Sequence, residues 1–253
     1  MQKISFKNNF GLTLRGTIFK PKKYTTAIIF CHGFPSSAEG SSPKRFAKFF
    51  QQMGYLVMLF SFSGSGSSEG KFEDKLMSQE VKDIKSAVDF LSEHYEYNQL
   101  VLIGHSTGAI DAALYAHTDK RVDKLVLLGG VSKLSEAVRY DFTDEQVRDF
   151  WKKGYIVYHR AKSWVHKKKI KRAFYDEFFQ LDVLGSLKKF KKPLLIIHGE
   201  KDEAIPVQKD PQELYAAANQ PKKLLIIKNA DHRFSKLQWG VQVAWQIRKF
   251  VGK

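Results

Sequence analysis

A chain of 253 residues, 43% apolar and 13% aromatic, can fill the core of one large α/β domain, which excludes disordered and collagen-like classes. Its 42 Lys and Arg against 26 Asp and Glu leave a net charge of +16, so nucleic acid, an anionic membrane and acidic substrates all enter as partner classes. The single cysteine, Cys31, permits no internal disulfide, and no CxxC pair, HExxH or His/Cys cluster at zinc spacing occurs, so neither a metal site nor a secreted scaffold is expected, and the compartment is read as cytoplasmic.

The first 20 residues carry Lys3, Lys7 and Lys20 and no apolar run of signal-peptide length. The longest apolar stretches fall far below the roughly 20 residues that span a bilayer, so a soluble protein is expected. Strand-like runs follow at 12–19, 27–31, 55–60, 100–104, 125–128, 194–198 and 224–228. Several are apolar on both faces, the pattern of a parallel strand covered by helices on each side. Helical patterns intervene: 76–95 keeps Val81, Ile84, Ala87, Val88 and Leu91 on one face, and 240–251 does the same with Val241, Ala244, Trp245, Ile247 and Val251. This alternation predicts a doubly wound α/β fold with a mostly parallel sheet and functional residues on loops at the C-terminal strand ends.

About 60 residues break the alternation. Residues 131–190 read as an inserted lid between two halves of a core, 1–130 and 191–253, and hold 12 aromatics, among which Trp151, Tyr155 and Trp164 are candidates for substrate contact. Residues 151–172 contain nine Lys or Arg and no acid, including Lys167, Lys168, Lys169, Lys171 and Arg172. Such a run is ordinarily a solvated face; its functional alternative is attraction of an anionic substrate or membrane surface. No nucleic-acid-binding motif accompanies it, so specific nucleic-acid binding is not expected. The Gly-rich stretch 64–70 fails as a phosphate loop: Glu69 stands where a dinucleotide fingerprint needs Gly, and Phe72 follows Gly70-Lys71 where a Walker loop needs Ser or Thr.

The chemistry centres on Gly104-His105-Ser106-Thr107-Gly108, between a predicted strand and a predicted helix. A Gly-x-Ser-x-Gly in that context is a sharp turn that exposes the Ser hydroxyl while the glycines let strand and helix approach. A Ser hydroxyl needs a base to take its proton and an acid to orient that base. Of eight His, His232 follows a strand on a loop at the predicted catalytic edge, whereas His105 is expected to point away along the turn. The acid is sought on the loop after strand 194–198, where Asp202 is chosen with Glu200 and Glu203 as runners-up. Oxyanion donors are expected from the backbone N–H groups of Phe34, after strand 27–31, and Thr107. Cys31 reads as a buried small hydrophobe.

With these residues the chain resembles the α/β-hydrolase superfamily, in the group of bacterial carboxylesterases, feruloyl and cinnamoyl esterases, monoacylglycerol lipases and serine aminopeptidase-like proteins. The resemblance rests on His32-Gly33-Phe34, Gly54-Tyr55, the 64–70 loop, Gly104 to Gly108, His198-Gly199-Glu200-Lys201-Asp202 with Pro206, and Asp231-His232. It implies Ser106 as nucleophile, Asp202 as acid and His232 as base, with no cofactor or metal. The implied activity is hydrolysis of a small or aromatic-acyl carboxylic ester. Alternatives are a monoacylglycerol or lysophospholipid lipase at a membrane surface, and a ligand-binding protein without catalysis. Family members usually carry Asp, Arg or Asn, and His in the stretch that reads here 61–67, and these positions brace the oxyanion loop. This chain has serines there, which implies a different bracing.

Overall fold

The computed structural model describes residues 1–159 and 163–252. The chain runs β1 (Gln2–Lys7), β2 (Thr13–Phe19), β3 (Thr26–Cys31), α1 (Ser41–Gln52), β4 (Leu56–Phe60), α2 (Met77–His94), β5 (Gln99–His105), α3 (Thr107–Ala116) and β6 (Val122–Leu128). A crossover segment follows, with α4 (Leu134–Asp141), α5 (Asp144–Lys153), β7 (Tyr155–Val157), β8 (Lys169–Lys171), α6 (Arg172–Asp176) and α7 (Val183–Lys189). The chain closes with β9 (Leu194–Gly199), α8 (Asp210–Ala217), β10 (Lys222–Ile227) and α9 (Leu237–Val251).

Eight strands form one sheet in the order β1-β2-β4-β3-β5-β6-β9-β10. The hairpin β1–β2 joins antiparallel to β4, and from β4 onward the strands are parallel. Alternation along the parallel strands divides the core. Ala27, Ile29, Met58, Leu100, Leu102, Leu125 and Ile196 face α2 and α3, while Ile28, Phe30, Val57, Val101, Ile103, Val126 and Leu195 face α1 and α9. Every residue of β3, β4 and β9 is buried, as the continuous apolar runs required. At roughly 1.5–3 kcal/mol per fully buried large aliphatic side chain, these two layers fix the sheet on which the loops stand. Cys31 is fully buried at the end of β3, where burial pushes its thiol well above the ordinary range.

Three elements depart from expectation. β1 has no apolar run; within it only Phe6 is buried, and Lys3 and Lys7 suit an edge strand. The helix α9 buries Trp239, Val243, Ala244, Ile247 and Val251, so Val241 and Trp245, expected on the inner face, are exposed instead. Its apolar residues cover more than one face, and the side that docks is set by α1 and the sheet. Residues 131–190 contain a short hairpin, β7 with β8, in addition to helices. Glu177 ties this segment to the core by accepting from the N–H groups of Met77 (2.6 Å) and Ser78 (3.3 Å), which lack carbonyl partners at the start of α2. Among the described residues no helix is long and apolar enough to cross a membrane.

Candidate active site

Ser106 joins β5 to α3 at φ 56°, ψ −125°, a conformation that costs an L-residue about 1–3 kcal/mol and survives only where the surroundings over-determine it. They do so here. The N–H of Ser106 donates to Leu128 O at 2.9 Å, and its carbonyl accepts from Ala109 N at 2.8 Å. A Cβ at position 104 would lie 2.1 Å from Gly108 O, and one at 108 would lie 2.4 Å from Cys31 O, so both glycines are required by strand, turn and helix meeting at contact distance. The backbone of Gly33 lies directly over the serine, since a Cβ there would come within 2.8 Å of Ser106 Cβ.

His232 sits in the loop between β10 and α9. Its Nδ1 donates to Asp202 Oδ2 at 2.8 Å, which leaves Nε2 as the proton acceptor of the neutral ring. Asp202 Oδ1 accepts from the N–H groups of Ala204 (2.9 Å) and Ile205 (2.8 Å). Burial alone would raise the Asp202 carboxyl, but hydrogen bonds from His198 and His232 outweigh it and hold the group well below the usual carboxylate range. Of the three carboxylates considered on this loop, Asp202 is the one at His232 Nδ1. Glu200 accepts from Asn229 N at 2.8 Å and Glu203 from His232 N at 3.2 Å, so both orient the loop instead. The C-terminal end of β6 passes beside the pair at Gly129 (φ 54°), where a Cβ would lie 3.1 Å from His232 Nδ1 and 3.5 Å from Asp202 Oδ2.

Two further imidazoles belong to this arrangement and were not foreseen. His198, fully buried in β9, places Nε2 3.1 Å from Asp202 Oδ2 and 3.1 Å from Ile205 O, so this carboxylate lies between two rings. Its position four residues before Asp202, in an otherwise apolar strand, was the available signal. His105, expected to point away, instead turns its Nε2 to His232 O at 2.8 Å, with the two rings 5.0 Å apart. Burial, with the neighbouring His232 ring, pushes His105 down to about 3, so it is a neutral donor at physiological pH.

The loop after β3 is held by His32, whose Nδ1 donates to Gly33 O at 3.0 Å while Nε2 accepts from Phe62 N at 3.3 Å. Burial drives its pKa to about 3, consistent with that neutral tautomer. Phe34 follows, its ring stacked on Phe72 and Phe174 at centroid distances of 5.6 and 5.1 Å. Thr107 opens α3, so its N–H is among the donors without a carbonyl in the helix. The serine-rich stretch supplies the bracing in a new form. Ser61 Oγ accepts from Ala38 N and donates to Glu39, both at 2.9 Å, and Ser67 also donates to Glu39. Ser63 binds Asp83 through N–H and hydroxyl at 2.8 and 2.7 Å, while Lys75, buried and paired with Glu80, donates to Ser65 Oγ at 2.8 Å.

Ser106, His105, His232 and Phe34 line one cavity of about 430 Å³. None of the three aromatic candidates in the crossover segment lines it. Trp151 is 60% exposed beneath the Arg172 guanidinium, 3.6 Å from its ring centre. Tyr155 borders a separate depression with Thr143 and Asp149. Trp164 borders another with Glu39 and Lys168, and donates to Pro35 O at 3.3 Å. In the basic run, Lys168 lies over Trp164 (4.5 Å) and Lys169 over Tyr155 (4.2 Å), Lys171 pairs with Asp74, and Arg172 pairs with Asp176 at 3.1 Å. Lys167 takes a left-handed backbone at φ 62°. Arg160 and Lys162 lie outside the described residues.

Comparison with known proteins agrees with this arrangement at the level of fold and family. The bovine mitochondrial palmitoyl-protein thioesterase ABHD10 is 25% identical over 218 residues, covering 85% of this chain and 69% of that protein. The uncharacterized protein YqkD of Bacillus subtilis is 26% identical over 252 residues, covering 93% and 74%. Among solved structures, Est1E of Butyrivibrio proteoclasticus with bound ferulic acid superposes with a TM-score of 0.81 at 21% identity, covering 98% of this chain and 97% of that one. The family described as serine aminopeptidase, S33, matches residues 22–176, more than half of the sequence, and with its eight-stranded, mostly parallel sheet the chain belongs to this family of α/β hydrolases.

Proposed function

We propose that the protein is a serine hydrolase that cleaves a small carboxylic ester or thioester through an acyl-enzyme on Ser106. The observation that carries this reading is the convergence, on one cavity, of a serine in a strained strand-to-helix turn and an imidazole whose other nitrogen is 2.8 Å from a buried carboxylate. His232 Nε2 takes the proton as Ser106 Oγ attacks the carbonyl, and returns it to the leaving oxygen or sulfur; Asp202 holds the tautomer and stabilises the charged ring. The N–H groups of Phe34 and Thr107 receive the developing oxyanion, each worth about 3 kcal/mol of transition-state stabilisation. Water then attacks the acyl-enzyme by the same route. Neither a metal nor a cofactor enters any step.

Thioesters stand beside esters because a relative bears the name of a thioesterase, and both reactions use the same groups. A small acyl group is favoured because the aromatic side chains around Phe34 pack on one another. Residues 131–190 act on this reading as a lid over a core of 1–130 and 191–253. The test is a panel of p-nitrophenyl esters and acyl thioesters of increasing chain length, with methyl ferulate, together with fluorophosphonate labelling of wild type and Ser106→Ala. Rates highest at short chains with label on Ser106 support the reading. A maximum at long chains enhanced by anionic vesicles would replace it with a lipase, and equal absence of label in both proteins would leave a ligand-binding protein.

A further inference from the structure

The cavity that holds Ser106 and His232 has a chemically one-sided wall. Part of its lining comes from the N-terminal end of α1, with Ser41, Ser42 and Arg45, and from the segment after His232, with Arg233 and Ser235. Two arginines line it and no carboxylate does. Arg45 spends Nη1 and Nη2 on the carbonyls of Ser235 and Phe234, both at 2.7 Å, while its Nε is buried without a hydrogen-bond partner. The charged group facing Arg45 is Asp231, which accepts from Ser235 N at 2.8 Å and from the Ser235 hydroxyl. Arg233 is exposed and forms no ion pair among the described residues, unlike Lys171, Arg172 and Arg121, each of which has an acidic partner.

Mechanism says which part of a substrate meets this wall. His232 must deliver its proton to the leaving atom, so the leaving group lies on the His232 side of the serine. Arg233 is the next residue in the chain, and Arg45 clamps the carbonyls immediately after it. Phe34, whose ring stacks on Phe72 and Phe174, lines the same cavity and brings an uncharged side chain to it.

We propose that the α1 side of the cavity is a leaving-group subsite for an oxyanion, so that the natural substrate is an ester or thioester whose alcohol or thiol portion carries a carboxylate or a phosphate. Arg233 supplies the unpaired guanidinium and Ser41 and Ser42 the hydroxyls, while Arg45, through the carbonyls of Phe234 and Ser235, fixes the loop that carries Arg233. The subsite rests on the hydrolase reading above and deepens it.

The experiment compares matched pairs at 0.15 M salt. One pair is 3-acetoxybenzoate against 3-acetoxybenzamide, and the other is an acyl glycerol 3-phosphate against the monoacylglycerol of the same acyl chain. Wild type is expected to favour the anionic member of at least one pair by about tenfold in kcat/KM, the scale of one charge-assisted hydrogen bond. The pair that shows it distinguishes carboxylate from phosphate. In Arg233→Gln the preference ratio is expected to fall to near unity, in Arg233→Glu to invert, and in Arg233→Lys to be partly kept. Lys22→Gln, which removes a charge from an exposed site before β3, controls for attraction by the overall +16, and its ratio is expected to match wild type. A wild-type ratio at or below one in both pairs, a ratio insensitive to Arg233, or an equal fall in Lys22→Gln would overturn the subsite. In each of those cases turnover of the neutral esters with label on Ser106 shows that the hydrolase reading stands, whereas absence of both shows that it has failed with it.

Discussion

The loops at the C-terminal edge of the sheet and the crossover segment between β6 and β9 are built on opposite principles. At the sheet edge three buried groups are anchored by hydrogen bonds to backbone: Asp202 by Ala204 and Ile205, His105 by His232 O, His32 by Gly33 and Phe62. The crossover segment, apart from its tie through Glu177, is cemented mainly by rings. Phe142, Phe150, Tyr175 and Phe178 form one cluster with centroids 5.0–5.8 Å apart, and its lysines and arginines lie over Trp164, Tyr155 and Trp151. Directional bonds fix atoms to within tenths of an ångström, whereas ring packing fixes a shape. The aromatic and basic richness that made this segment look like a substrate surface is in large part its own cohesion, cations stacked on rings that have little sheet to pack against.

Substitutions can break or sharpen that contrast. Ser106→Ala is expected to lower kcat by about 10⁶-fold while leaving the fold intact, measured as ester turnover and circular dichroism. Asp202→Asn follows at about 10⁴-fold, because the amide reverses the donor relation to His232 and spoils the tautomer; a loss under tenfold would mean that Glu200 or Glu203 takes its place. In the crossover segment, Phe150→Ala should cost stability before chemistry. The ring is fully buried between Phe142 and Tyr175, so urea unfolding should show about 3–5 kcal/mol lost.

Acid should loosen the sheet edge in a defined window. His32 and His105 have folded pKa values of about 3 against an ordinary value near 6.5, so the unfolded chain binds protons that the folded one refuses. Their contribution is complete above about pH 7 and declines as pH falls from 6.5 toward 3, reaching a loss of about 2 kcal/mol per residue at pH 5. Denaturant midpoints at pH 8 and pH 5 check this, and His32→Asn should remove part of the difference. The smallest effect is expected from Trp151→Ala, under twofold in kcat/KM; a tenfold loss would bring the crossover segment into catalysis and erase the contrast.

The parts legible in sequence were those specified by neighbours in the chain. Gly104 to Gly108 contains its own steric reasons, and the apolar runs of β3, β4 and β9 reported their burial directly. His105 and Arg45 escaped because their partners lie 127 and 190 residues away. The serine-rich stretch showed that a bracing pattern was missing but not what replaced it, since Glu39 and Asp83 acquire meaning only when their loops meet Ser61, Ser63 and Ser67. The inner face of α9 was misjudged at Val241 and Trp245 because periodicity counts apolar positions without knowing where the partner helix stands.

Gly129 offers neither a side chain nor a proton, yet a methyl group there would press on the His232 ring at 3.1 Å while only touching Asp202 at 3.5 Å. An alanine at the end of β6 would have to hold a left-handed backbone (φ 54°) and push the imidazole aside by a few tenths of an ångström, while every signature motif stayed in place.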